Sequence, residues 1–233
     1  MARKVDGFIC TNKFLAGKLK RSFGKSVKVV RNSLNCEQVK VSKELVEKKK
    51  ENNDSWFTIG YFSGSPTHKK DFELAEPGLL SLMKVHDEVR LRVVGYMELS
   101  DEMRRMTEVG RVDIVDMVDY LSLQDLISKV DVNIAPLIVN DFTNCKSELK
   151  FFEAGIVETT TVASPAYSFR NAISDGENGL LAEPNEWFDK LEYLYQNPKK
   201  NRKIALRAKK DSMMHYYGKE FLKEVEEAYD FFI

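Results

Sequence analysis

Two stretches of this sequence bring together side chains suited to holding an anion. In the first, the turn after the apolar run FTIGYF contains Gly64, Ser65 and His68 and ends in Lys69 and Lys70. In the second, Lys146 and Ser147 precede an amphipathic segment carrying Glu148 and Glu153. A helix beginning near Ser147 presents unpaired backbone N–H groups and the positive end of its dipole, and nearby lysines add point charges, so phosphate suits the arrangement. A carboxylate further along that helix, Glu153, can accept hydrogens from both hydroxyls of a ribose. GxGxxG, Walker, GxSxG and HExxH motifs do not occur, and three histidines are too few for a metal cluster. Hydride transfer, serine hydrolysis and zinc chemistry therefore lose support. A nucleotide or nucleotide-sugar site is the generic reading.

The elements that must position these residues alternate along the chain. Strands are expected at 57–62, 91–95, 112–115, 130–137, 160–164 and 179–182. Helices are expected at 73–84, 101–108 with Ser100 as its cap, 123–129 and 147–154. Strands separated by helices of this length predict parallel βαβ crossovers: an α/β, doubly wound, Rossmann-like sheet with helices on both faces. Ligands of such sheets bind beyond the carboxyl ends of the strands, where the two stretches above fall. Residues 185–233 read as a helical tail, and the run 43–53 (KELVEKKKENN) as a solvated helix and linker. Residues 1–35 hold a strand, a helix over 12–23 and a second strand, a short remnant of another Rossmann-like domain. The expected division is 1–35, a linker and helix over 36–55, a ligand-binding domain over 56–215 and a crossover helix over 216–233.

Composition narrows the classes. The 233 residues are 43% hydrophobic, enough for a core, and 36 basic residues balance 36 acidic ones, leaving no global field for nucleic acid. Cys10, Cys36 and Cys145 are scattered, without a CxxC pair, which favours a reducing compartment. Apolar runs are too short to span a bilayer, and the N-terminus lacks a signal-peptide pattern. The expected location is cytoplasmic, or peripheral at the inner face of the membrane.

The segments IGYFSGSPTHKKDF, VRLRVVGYMELSD, DVNIAPL, KSELKFFEAG and VASPAYSFRNAISDGENGLLAEPNEWFDKL follow one another in order. This succession resembles the C-terminal, donor-binding half of a GT-B glycosyltransferase of the retaining group 1 (family 4) type. VDGFICTNKFLAGKL and VKVVRNSLN resemble the end of such an enzyme's acceptor domain. The resemblance implies hexosyl transfer from a UDP-, GDP- or ADP-sugar to a glycan or lipid-linked acceptor. It implies no tightly bound cofactor and no required metal. Glu153 matches the second, ribose-binding Glu of the family's Glu-x7-Glu motif, and Cys145 stands where the first, sugar-contacting Glu belongs. Lys70 resembles the family's diphosphate-contacting basic residue. Lys146, Ser147, Glu148 and Leu149 match the loop and helix start whose amides face the phosphates, and Tyr120 falls in the base-binding region. Gly64, Ser65 and His68 belong to the donor loop, and Lys70 and Glu148 are the residues expected to act in catalysis.

Each assignment has a plainer counterpart. Glu153 alone reads as a helix-surface carboxylate, Lys69 and Lys70 as a charged turn, Lys146 and Lys150 as solvated helix residues with Lys146 better placed. The aromatic tail, including Tyr216, reads as docking surface. Two other functions remain open: an inactive glycosyltransferase-like partner subunit, and a GT-B nucleotide-sugar epimerase. The resemblance also predicts that the acceptor domain is incomplete, that the crossover helix lacks its seat, and that the chain self-associates through 1–35 or 216–233.

Overall fold

Six runs rich in β-branched and aromatic residues form one parallel sheet in the computed structural model, which describes residues 4–50, 55–63 and 69–232. The strands are β3 (Phe57–Phe62), β4 (Val89–Val94), β5 (Val112–Val115), β6 (Val132–Ala135), β7 (Thr160–Ala163) and β8 (Leu180–Leu181), ordered β5-β4-β3-β6-β7-β8. Two further strands, β1 (Gly7–Cys10) and β2 (Ser26–Val29), make a separate parallel pair. The central register sets Ile59 opposite both Leu91 and Val132, which places the most apolar strands in the middle. Side chains alternate between faces along a strand, so each face builds its own core. On one side Ile59, Tyr61, Leu91 and Ile134 pack under α4 (Glu76–Val85), α5 (Asp101–Glu108) and α9 (Trp187–Gln196). On the other, Phe62, Val94 and Ala163 meet α2 (Cys36–Lys50), α6 (Tyr120–Ser128), α7 (Leu149–Ile156) and α10 (Pro198–His215). This is the doubly wound α/β architecture.

Several expectations are corrected. The helix predicted at 73–84 starts later, at Glu76: α4 (Glu76–Val85) carries Pro77 in its first turn, and a separate short helix, α3 (Lys69–Phe72), precedes it. The last site helix begins at Leu149, with Glu148 as its cap, rather than at Ser147. The helix predicted from 123 starts at Tyr120, because Asp119 Oδ1 accepts the N–H groups of Leu121 and Ser122. The run beginning at Lys43 is not a solvated linker through residue 50. Leu45 and Val46 are buried, and Lys49 Nζ donates to Val130 O (3.2 Å), Glu158 O (3.0 Å) and Thr159 Oγ1 (2.8 Å). Residues 51–53 of that run lie outside the described residues.

The tail also differs from expectation. Tyr216 is buried rather than a docking surface, with its ring stacked on Phe152 at 4.4 Å. The crossover helix α11 (Lys219–Asp230) does have a seat: it packs against β2. Arg31 is ion-paired with Glu224, and Lys28 Nζ lies 4.1 Å from the Phe231 ring centroid. At its N-terminal end α1 (Lys13–Phe23) is capped by Asn12, whose Oδ1 accepts from Leu15 N at 2.8 Å. The Nδ2 of the same side chain donates to Asn144 O and Lys146 O, tying the first two strands to the loop before α7.

Candidate functional site

The order of the sheet reverses between β3 and β6: chain order runs outward to β4 and β5 on one side, and to β7 and β8 on the other. A crevice opens at the carboxyl ends of strands at such a switch point. Two adjoining cavities occupy it. The larger, about 380 Å³, has an apolar wall of Phe62, Val94, Met117, Leu123 and Ile127, with Tyr120 at its edge and Ser63, Asn133, Lys150 and Glu153 as its polar groups. The smaller, about 270 Å³, is bounded by Leu137, Lys146, Ser147 and Phe169. Leu149 and Lys150 line both.

Backbone geometry admits the crevice. Gly95 ends β4 at φ +93°, and a Cβ there would sit 2.1 Å from Ser63 O, so only glycine lets the β3 and β4 strand ends approach this closely. Asn133 is the one polar side chain of its apolar strand, 1% exposed. Its Nδ2 donates to Lys150 O (3.0 Å) and Thr161 Oγ1 (3.1 Å), fixing the start of α7 against the sheet. Its Oδ1 has no partner among the described residues.

Burial governs the charges on α7. Glu153 is half-buried, and desolvation pushes its carboxyl up to about 7, with Lys150 pulling the other way. Desolvation brings the Lys150 ammonium down to about 8, opposed by Asp71 and reinforced by Lys146. The Lys150 Nζ lies 4.7 Å from the Tyr61 ring centroid, a cation–π contact over a fully buried ring. No acidic residue occupies the first turn of α7, although Glu148 caps it; the Phe151 N–H is taken by Glu148 O at 2.9 Å, and the helix start ahead of it favours an anion.

The expected site residues divide into three groups. Tyr120, Leu149 and Glu153 share the larger cavity, while Lys146, Ser147 and Leu149 line the smaller. Tyr120 is exposed, and its hydroxyl bonds to the Glu37 carboxylate. Ser147 Oγ accepts from Asn32 Nδ2 at 2.8 Å, and the Lys146 N–H is taken by Thr143 O at 3.1 Å. Lys70 and Glu148 stand apart. Lys70 is exposed on α3 and lines neither cavity, while its neighbour Lys69 pairs with Glu98 at 2.8 Å. Glu148 instead lines a different cavity, of about 400 Å³, with Arg31, Tyr167 and Glu224. There it is 6% exposed and accepts from the Tyr216 hydroxyl at 2.9 Å, and burial raises its carboxyl above the ordinary range. Gly64, Ser65 and His68 lie outside the described residues. Cys145 sits in a short 3-10 turn (Thr143–Cys145), its thiol directed to Asp141 O at 3.2 Å.

Two residues of the crevice escaped the sequence reading. Lys150 precedes Glu153 by three positions, the spacing that puts two side chains on one helix face. Asn133 interrupts an otherwise apolar strand, the mark of a buried polar group with a positional task.

Known proteins resemble this arrangement. The profile of a family described as "Glycosyl transferases group 1" matches residues 59–197, which include every strand of the large sheet apart from the first two residues of β3. No curated protein sequence matches the chain. Among solved structures, a point mutant of S. aureus TarM, in complex with Fondaparinux, alpha-GlcNAc-glycerol and UDP, superposes with a TM-score of 0.72 at 18% identity, over 97% of this chain and 44% of that one. Anabaena Alr3699/HepE in complex with UDP-glucose gives 0.73 at 16% identity, over 98% and 65%. The C-terminal domain of LpcC from Francisella tularensis, a glycosyl transferase group 1 family protein, gives 0.55 at 17%, over 76% of this chain and 94% of that one. The likeness is one of fold. The chain spans 44% of the TarM chain and 65% of the HepE chain.

Proposed function

The chain belongs to the group 1 glycosyltransferases, and from that premise we propose that its switch-point crevice binds the nucleotide-sugar donor of a retaining transfer to a glycan or lipid-linked acceptor. The observation that carries this reading is the pairing of Glu153 and Lys150 on one face of α7, between an apolar slot and a helix start. A planar base suits the slot formed by Phe62, Val94, Leu123 and Ile127. Glu153 is placed to accept the ribose hydroxyls, and the diphosphate then falls at the helix start, where N–H groups and dipole favour anions. UDP in the TarM complex and UDP-glucose in the HepE complex support a nucleoside diphosphate as the first ligand to test.

In the transfer, the bond between the anomeric carbon and the diphosphate oxygen breaks, and a bond to the acceptor oxygen forms. The acceptor proton passes to the leaving diphosphate. The charge developing on that leaving group is what a preorganised cation and oriented amides stabilise. Lys70 and Glu148, on this reading, do not act from their present positions, since neither lines the donor crevice.

Calorimetric titration with UDP, GDP and ADP tests the reading. At least one should bind, and Glu153→Ala should weaken it about tenfold or more, through loss of charge-assisted hydrogen bonds worth about 1.5–3 kcal/mol each. Absence of binding by all three at millimolar concentration, in a folded chain, contradicts it.

A further inference from the structure

We propose that Lys150, rather than the strand-end lysine Lys70, supplies the charge by which this chain distinguishes a nucleoside diphosphate from a nucleoside. The proposal rests on the donor-site reading above. A diphosphate lies between ribose and sugar, so its place is the junction of the two cavities, and among the described residues Lys150 is the cation that lines both. The other lysines nearby are otherwise disposed. Lys69 is paired with Glu98, Lys70 is exposed outside both cavities, and Lys146 lines only the smaller one.

Lys150 is also poorly placed for an empty protein. It occupies the first turn of α7, where the helix dipole repels a cation, and that turn holds no acid. The groups facing it are Tyr61 on β3, Asp71 on α3, Lys146 in the loop and Glu153 on its own helix. Desolvation outweighs the pull of the two carboxyls, which Lys146 in part offsets, so the ammonium loses its proton more readily than usual. A bound diphosphate adds negative charge beside it and draws the proton back. Binding of a nucleoside does not.

The test compares UDP with uridine by calorimetry at pH 8.5, in buffers of different ionisation enthalpy, for the 233-residue chain and its Lys150→Gln, Lys150→Arg and Lys70→Gln variants. The original chain should prefer UDP and take up protons as UDP binds. Lys150→Gln should lose about tenfold or more of that preference and the proton uptake, while keeping its affinity for uridine. Lys150→Arg, whose charge does not titrate in this range, should keep the preference and lose the uptake. Undiminished preference and uptake in Lys150→Gln, or their loss in Lys70→Gln alone, overturns the proposal and leaves the donor site standing. Binding of no nucleoside diphosphate by the original chain overturns the donor-site reading and this inference with it.

Discussion

At Glu153 the needs of the empty fold and of the proposed donor site pull in opposite directions. Its carboxyl rises from 4.5 to about 7 because burial disfavours the carboxylate. The folded state therefore holds the proton over a range in which the unfolded chain has released it. Stability from this group is retained below about 4.5, declines as pH rises toward 7, and is lost above that. Glu153→Gln removes the penalty. It should raise the unfolding free energy at pH 8 by about 1–2 kcal/mol, after discounting for solvent screening, and change little at pH 4. Chemical denaturation at the two pH values measures this. The same substitution should weaken nucleotide binding, because an amide accepts ribose hydrogens without charge assistance. A site kept at a cost to stability is expected of a binding residue and not of a packing residue. The motif resemblance singles out Glu153, whereas Lys150 reads from sequence as a solvated helix residue, because its burial depends on Tyr61 and Asp71, far away in the chain.

At the scale of elements, legibility followed how local the determinants are. The strands at 57–62 and 112–115 and the helix at 101–108 occur at their expected bounds, because alternation and the Ser100 cap act within a few residues. The start of α7 was misplaced by two residues for a long-range reason. Asn12 grips the carbonyls of Asn144 and Lys146, and Asn32 holds Ser147, so the chain leaves the 3-10 turn at Cys145 and is kept out of the helix until Leu149. The charged run in α2 failed similarly, since the three acceptors of Lys49 come from the end of α6 and the turn between α7 and β7. Among them, Glu158 adopts a positive φ of 55°, and its carboxylate pairs with Lys209 at 2.8 Å. Lys49→Met keeps the stem and strands these oxygens. It should cost about 2–4 kcal/mol, read as a lowered denaturant midpoint with an unchanged slope. A change below about 0.5 kcal/mol shows that water satisfies the same groups.

Over the whole molecule, the first two strands and the last helix form one unit fastened to the large sheet at the loop before α7. Arg31 pairs with Glu224 inside that unit, and Asn12 and Asn32 reach across to Asn144, Lys146 and Ser147. The doubly wound order was legible because βαβ alternation dictates it. The seat of the crossover helix was not, since it depends on contacts of Phe231 and Glu224 with β2 and its end, nearly the length of the chain away. Residues 146–149 border both the switch-point crevice and the separate cavity lined by Arg31 and Glu224, and the donor is proposed to occupy the crevice that holds Glu153, not the cavity that holds Glu148. Mapping amide chemical shifts of the isotope-labelled chain during titration with UDP decides between them. Donor binding in the switch-point crevice predicts shifts concentrated at Ser63, Gly95, Asn133 and residues 146–153, saturating together. Shifts concentrated at Arg31, Tyr167, Asn171 and Glu224, or none at all, would contradict it.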